Sequence, residues 1–162
     1  MKKIIHNTGS NYAPLVLRVL LSLVLFPHGA QKLLGWFGGF GFEGSMNYFT
    51  QSVGLPWIVG FMVIMIEFFG PIFLLAGFGT MLWSLGILAV MTGIIVTTFN
   101  DYFFMNWFGS QKAEGYEFFL LAIGMSLSLL ISGAGKFSID AVLSKPRSKH
   151  LGGAVFADSS IL

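Results

Sequence analysis

Residues 57–78 read WIVGFMVIMIEFFGPIFLLAGF, with Glu67 as the only charge. A helix needs about 20 mostly apolar residues to cross a bilayer. This stretch supplies them in one unbroken run, so it reads as a membrane-spanning helix with a carboxylate near its middle. Three other stretches share its character: 13–34 (APLVLRVLLSLVLFPHGAQKLL), 80–99 (TMLWSLGILAVMTGIIVTTF) and 116–135 (YEFFLLAIGMSLSLLISGAG). Continuous rather than alternating apolar runs argue against a β-barrel. The expected fold is all-α, a four-helix transmembrane bundle. The connections 35–56 and 100–115 are rich in Gly, Phe and Trp and are expected to lie on the bundle mouth or in the interface, as aromatic outer loops.

Composition agrees. Of 162 residues, 55% are hydrophobic and only 10% charged, with a mean hydropathy of +0.79. A water-facing surface takes about 25% charged residues, so an ordinary soluble enzyme, a disordered chain and a nucleic-acid binder are excluded. A net charge of +2 spread over a greasy chain makes no basic stripe. The absence of Cys removes disulfides, thiolate metal sites, redox CxxC motifs and a cysteine nucleophile. The first apolar run is read as a span rather than a signal peptide, because Arg18 interrupts it, it is too long, and no A-x-A site follows. One domain is expected over residues 1–143, followed by a polar, Pro146-containing tail over 144–162 without regular structure.

Basic residues orient the bundle. Four spans place Lys2, Lys3, Lys136, Lys145, Arg147 and Lys149 on one side, whereas the opposite connections hold Lys112 with Glu43, Asp101 and Glu114. The expectation is a multi-pass protein of a bacterial inner membrane with both termini cytoplasmic. Gly77-Phe78-Gly79 is then a tight inner hairpin. Trp36, Trp57 and Trp107 mark the outer interface and Trp83 the inner one.

The chemistry rests on the few polar residues inside the spans, which are costly there and are expected to face the bundle. At about 100° per residue, Arg18, Ser22, Gly29 and Lys32 share one face of the first helix, with His28 at its edge. Glu67 shares a face with Gly60, Gly70 and Gly77; Glu117 shares one with Gly124, Ser128 and Ser132. His28, Gln31, Lys32, Glu67 and Glu117 are expected to line a polar pocket opening outward beneath the aromatic connections, with Arg18 reaching Glu67 from below. Pro71 leaves the Glu67 carbonyl without its helical donor. Glu67 has two readings. Either it pairs with Arg18, His28 or Lys32 and locks the bundle, or it binds a ligand or carries a proton. His28 also reads as a plain helix residue, Lys32 as a snorkelling boundary residue, Arg18 as a structural or lipid-phosphate contact, and Glu117 as a helix-dipole partner. Lys136 and Asp140 read as an exposed ion pair on a short interfacial helix reaching Leu143, worth about 0–1 kcal/mol.

Haem is disfavoured, because His28 is the only histidine within a span. Iron–sulfur ligation fails without Cys, and no metal-binding motif is present. An apolar site with one His, one Lys, a buried Glu and aromatic rings suits a quinone-like headgroup.

Several motifs recur in order: L-R-x(9)-H-G-x-Q-K ending at Lys32, I-E-F-F-G-P-I-F-L-L-A-G at 66–77, N-W-F at 106–108, G-Y-E-F at 115–118 and S-G-A-G-K-F-S-I-D at 132–140. Together they resemble the DoxX family of small bacterial membrane proteins over residues 13–143. The matching positions include Arg18, His28, Gly29, Lys32, Glu67, Asn106, Trp107, Glu117, Lys136 and Asp140. The resemblance implies a four-helix membrane protein associated with thiosulfate:quinone oxidoreductase or with oxidative and thiol-stress complexes. Without Cys the chain relays no thiols itself, so a quinone, a bound substrate or a partner redox protein is implied.

The leading expectation is a quinone-linked redox subunit or accessory in sulfur or oxidative-stress metabolism. A non-enzymatic membrane scaffold or assembly factor and a small proton-coupled carrier are the alternatives. The candidate ligand or proton-carrying residues are Glu67, His28, Lys32, Arg18, Glu117, Gln31 and Trp107. No metal and no nucleic acid are expected. The lipid bilayer is the expected partner, with a partner redox protein or a second copy as a further one.

Overall fold

A computed structural model describes residues 12–98, 101–112 and 114–144; the tail expected over 144–162 lies almost wholly outside them. Among the described residues every regular element is helical: α1 (Ala13–Leu34), α2 (Gly41–Asn47), α3 (Trp57–Ala76), α4 (Thr80–Thr97), α5 (Glu117–Ser132) and α6 (Ile139–Leu143). By length and composition α1, α3 and α4 suffice to cross a membrane. The apolar α5 is shorter than its sequence window, because Gly133 and Gly135 take positive φ and turn the chain out of the helix. Its 16 residues span about 24 Å, against a hydrocarbon core of about 30 Å.

Core side chains come from four helices: Leu21 and Leu25 of α1, Leu74 of α3, Ile87 and Met91 of α4, and Phe119, Ala122 and Leu129 of α5. The most extensive packing is α1 on α3 and α4 on α5. Leu23, Leu82, Leu121 and Ile131 point outward, an apolar exterior that water does not favour and lipid does.

Residues 35–56 are more structured than an open aromatic connection. After Gly35 closes α1 in the left-handed region, a 3₁₀ turn (Trp36–Gly38) leads to α2, and α2 runs into a π-helical turn at Tyr48–Ser52. The backbone of Gly39 lies directly against that of Gln31, closer than any side chain would permit.

The opposite end is tied by a clasp. Gly77 (φ 67°) ends α3 in a Schellman turn: its N–H donates to the Leu74 carbonyl and that of Phe78 to the Phe73 carbonyl. Arg18 does not reach toward Glu67. Its guanidinium is fully buried at this end and donates to the carbonyls of Leu74 (3.1 Å), Leu75 (3.3 Å), Lys136 (2.8 Å) and Phe137 (3.1 Å). The reason is supply: a helix end carries carbonyls without intrahelical donors, and the Gly133–Gly135 turn brings two more. The absent side chain of Gly77 makes the space, since a Cβ there would overlap the guanidinium.

The expected Lys136–Asp140 ion pair is replaced by two separate contacts. Lys136 Nζ stands 4.2 Å from the Tyr12 ring centroid. Both Asp140 carboxylate oxygens accept at 2.9 Å, one from Gly79 N–H and one from Thr80 N–H. Asp140 thus caps the α4 N-terminus, where the positive end of the helix dipole favours a carboxylate. Its own N–H donates to the Gly77 carbonyl at 2.9 Å.

Candidate functional site

One seam joins α1 to α3. From the hairpin end upward, Arg18 donates to Leu74 and Leu75, Ser22 Oγ donates to the Pro71 carbonyl at 2.8 Å, Gly29 packs on the Glu67 backbone, and Lys32 Nζ meets the Glu67 carboxylate in a hydrogen-bonded ion pair. The spacing of α1 requires this order, because positions 18, 22, 29 and 32 return to one face as the helix winds.

The ion pair is lopsided. Glu67 is 2% exposed and Lys32 27%. Glu67 lies about 15 Å along α3 from Trp57, deep in the helix, whereas Lys32 stands two residues from the loop end of α1 and is the more exposed partner. His28 stands beside them, in electrostatic range of both. It lies on an exposed flank of α1, with its ring centroid 5.7 Å from that of Phe118 on α5. Phe26 and Phe68 meet on the other side of the seam at 5.7 Å.

The seven sequence-derived candidates therefore fall into separate groups. His28, Lys32 and Glu67 come together. Gln31 is next to them in sequence but donates to the Phe37 carbonyl at 3.3 Å, tying down the turn after α1. Glu117 and Trp107 form their own pair: one Glu117 oxygen accepts from Trp107 Nε1 (3.1 Å) and from Met105 N–H (2.9 Å). Arg18 belongs to the clasp at the other end. The expected outward-opening pocket is not one of the two main cavities: Lys32 contacts Glu67 directly, and Glu117 is engaged by its loop. The two cavities that stand out lie elsewhere. A groove of about 250 Å³ between α3 and α4 includes Phe49, Met62, Ile66, Gly93 and Thr97, and a hollow of about 400 Å³ lies at 136–142 beside Ala76. Among the described residues no three His, Asp or Glu side chains gather as a metal site would require.

Three further residues, outside the seven candidates, take part. Glu114 accepts from Asn106 N–H at 2.9 Å, and the Asn106 amide is held at both ends by the Gln111 backbone (3.1 and 3.0 Å). Phe118 is the partner of His28. Its signal was faint, an aromatic following Glu117 among many, but Glu114 and Asn106 bracket the N-W-F tip and were readable as loop fasteners.

The family model named DoxX matches residues 13–100, which takes in α1, the ion pair, the hairpin and α4. The chain belongs to the DoxX family. With three helices long and apolar enough to cross a membrane, this DoxX-family chain is a multi-pass membrane protein. It is similar to "Putative oxidoreductase CatD" of Bacillus subtilis (strain 168), at 27% identity over 139 residues, covering 86% of this chain and 92% of that relative. No solved structure matches the chain.

Proposed function

We propose that this DoxX-family protein is a quinone-linked redox subunit or accessory, with His28, Lys32 and Glu67 as its ligand-facing group. One observation carries the reading: a carboxylate buried deep in the seam is joined to a partly exposed lysine and flanked by an exposed histidine against an aromatic ring. A quinone supplies two-electron chemistry coupled to protons. The residues fit its headgroup on the α1–α5 flank rather than in an enclosed chamber: His28 and Lys32 donate to carbonyl oxygens, Phe118 offers a ring face, and Glu67 holds the compensating charge. The relative's oxidoreductase name favours this class. The electron donor comes from a partner in this reading, since the chain has no Cys for iron–sulfur ligation and His28 is the only histidine among the described residues.

The same reading takes α5 as a fourth, shortened span, with Gly133–Gly135 and the loop at 101–116 at interfacial depth. It places the termini on the cytoplasmic side of the inner membrane, following the basic residues. The 1–143 portion acts as one domain.

A scaffold role is the second reading. It is favoured by the polar seam, in which Arg18, Ser22, Lys32 and Glu67 all contact the neighbouring helix. The two differ in what the purified protein carries. Extracted in polymer nanodiscs without detergent, a quinone-linked protein retains quinone above the level of bulk lipid and loses it on His28→Ala. A scaffold retains none and instead brings down a defined partner that tolerates Glu67→Gln.

A further inference from the structure

Among the described residues, four polar atoms in the hairpin-end half of the core have no hydrogen-bond partner: Arg18 Nε, Thr80 Oγ1, Ser84 Oγ and Ser126 Oγ. Their residues are at most 1% exposed. Buried polar groups without partners are rare, and inside a bilayer neither bulk water nor lipid relieves them.

The two serines are the most informative. A hydroxyl inside a helix ordinarily donates to the carbonyl four residues back. Thr50, Thr97 and Ser132 all do so here, to Met46, Gly93 and Ser128. Ser84 and Ser126 have such a carbonyl behind them and do not use it. Arg18 shows the same gap from the donor side: its two terminal nitrogens reach four carbonyls while the Nε–H is left over.

The positions converge. Thr80, Ser84, Ile87 and Met91 recur along one face of α4, and the last two belong to the core cluster. Ser126 shares the core face of α5 with Ala122 and Leu129, and α5 packs extensively on α4. Ser84 lies about 6 Å inside the start of α4 and Ser126 about 9 Å inside the end of α5. Both of those helix ends are at the clasp. The two serines therefore stand at nearly one level on facing helices, a turn inward from Thr80 and Arg18.

We infer that this part of the core is a binding site for ordered water, one molecule bridging the Ser84 and Ser126 hydroxyls and the hydration continuing by Thr80 to Arg18 Nε. Water suits the set. Its oxygen accepts from the guanidinium and from a hydroxyl, its protons go to the remaining hydroxyl oxygens, and a buried water makes about three such bonds. The enclosed hydration gives the guanidinium its fifth partner inside a membrane span.

The test is thermal unfolding of the full-length protein in nanodiscs, comparing Ser84→Ala, Ser126→Ala and the double variant. Ser132→Ala serves as reference, because that hydroxyl is already satisfied by its own helix. Each single change at 84 or 126 is expected to lower Tm by several degrees. The double variant should fall little further than the larger single loss, because both remove the same water, while Ser132→Ala leaves Tm in place. A Tm raised or unchanged by either single alanine would mean a dry hydroxyl had been relieved, and losses adding in full would mean no shared water. Either result overturns the inference.

Discussion

Gly29 sits on the carbonyl of Glu67, the same carbonyl that Pro71 leaves without a helical donor. The hydrogen that a side chain would replace points at that oxygen. The proline thus opens a gap in α3 and the glycine of α1 covers it, which brings the helices close enough for Lys32 to meet the Glu67 carboxylate one turn further on.

Gly29→Ala is therefore expected to be among the most damaging single changes. The added methyl would overlap the Glu67 carbonyl and the Cα of Phe68, both backbone and unable to yield as a flexible side chain does. Overpacking of this kind costs about 1–3 kcal/mol or more. Melting of the purified protein should show a Tm loss well beyond that of Ala30→Gly, which leaves a small void beside the same seam.

Removal of either partner of the ion pair should have unequal effects. Glu67→Gln leaves a lysine that is already partly exposed and can turn its ammonium outward. Lys32→Met leaves a carboxylate that is 2% exposed without its cation. Isolating a buried charge costs about 3 kcal/mol, so Lys32→Met is expected to lower stability more than Glu67→Gln, while Lys32→Met with Glu67→Met recovers most of the loss. Chemical denaturation of the three variants in one detergent measures this, and equal losses would contradict the burial asymmetry.

At the clasp, Asp140→Asn keeps one acceptor oxygen and loses the other together with the charge at the α4 N-terminus. A cap of this kind is worth about 1–2 kcal/mol. A Tm drop of several degrees is expected, whereas an exposed Lys136–Asp140 pair would have shown almost none. Lys136→Met is expected to change Tm little, since a single cation–π contact at a part-exposed site contributes about 0.5–1 kcal/mol.

The loop 101–112 should loosen without the bundle unfolding when Glu117 is removed. That carboxylate holds Met105 N–H and Trp107 Nε1. Glu117→Ala is expected to speed proteolysis within this loop and to shift Trp107 emission, with Tm nearly unchanged. An unaltered cleavage rate would show that Asn106 and Glu114 suffice to fasten the loop.

The spans were legible because each is a long apolar run interrupted by few charges, and a pairing of Glu67 with a cation of the first helix followed from helical period and depth, although Arg18, His28 and Lys32 were equally eligible and the structure selects Lys32. The shortness of α5 was hidden in Gly133 and Gly135, which read equally well as a small-residue packing face and as left-handed turn positions. Arg18 was misplaced because a guanidinium inside a span invites a search for a carboxylate. Four carbonyls presented at a Schellman turn and a glycine turn serve it as well, and carbonyls carry no signature in sequence. Asp140 was misread for a related reason: four residues from Lys136 suggests a helical pair, but the helix begins only at Ile139, so the two never share a face.

The most direct test of the quinone-linked reading is equilibrium binding of a short-tailed quinone to the nanodisc-embedded protein, with folding of each variant checked by melting. Wild type is expected to bind saturably, and His28→Ala and Glu67→Gln to bind at least tenfold more weakly, about 1.4 kcal/mol or more of lost affinity, while Arg18→Lys, at the far end of the seam, binds as wild type if it folds. Saturable binding of equal strength in wild type, His28→Ala and Glu67→Gln, or none in wild type, would contradict it.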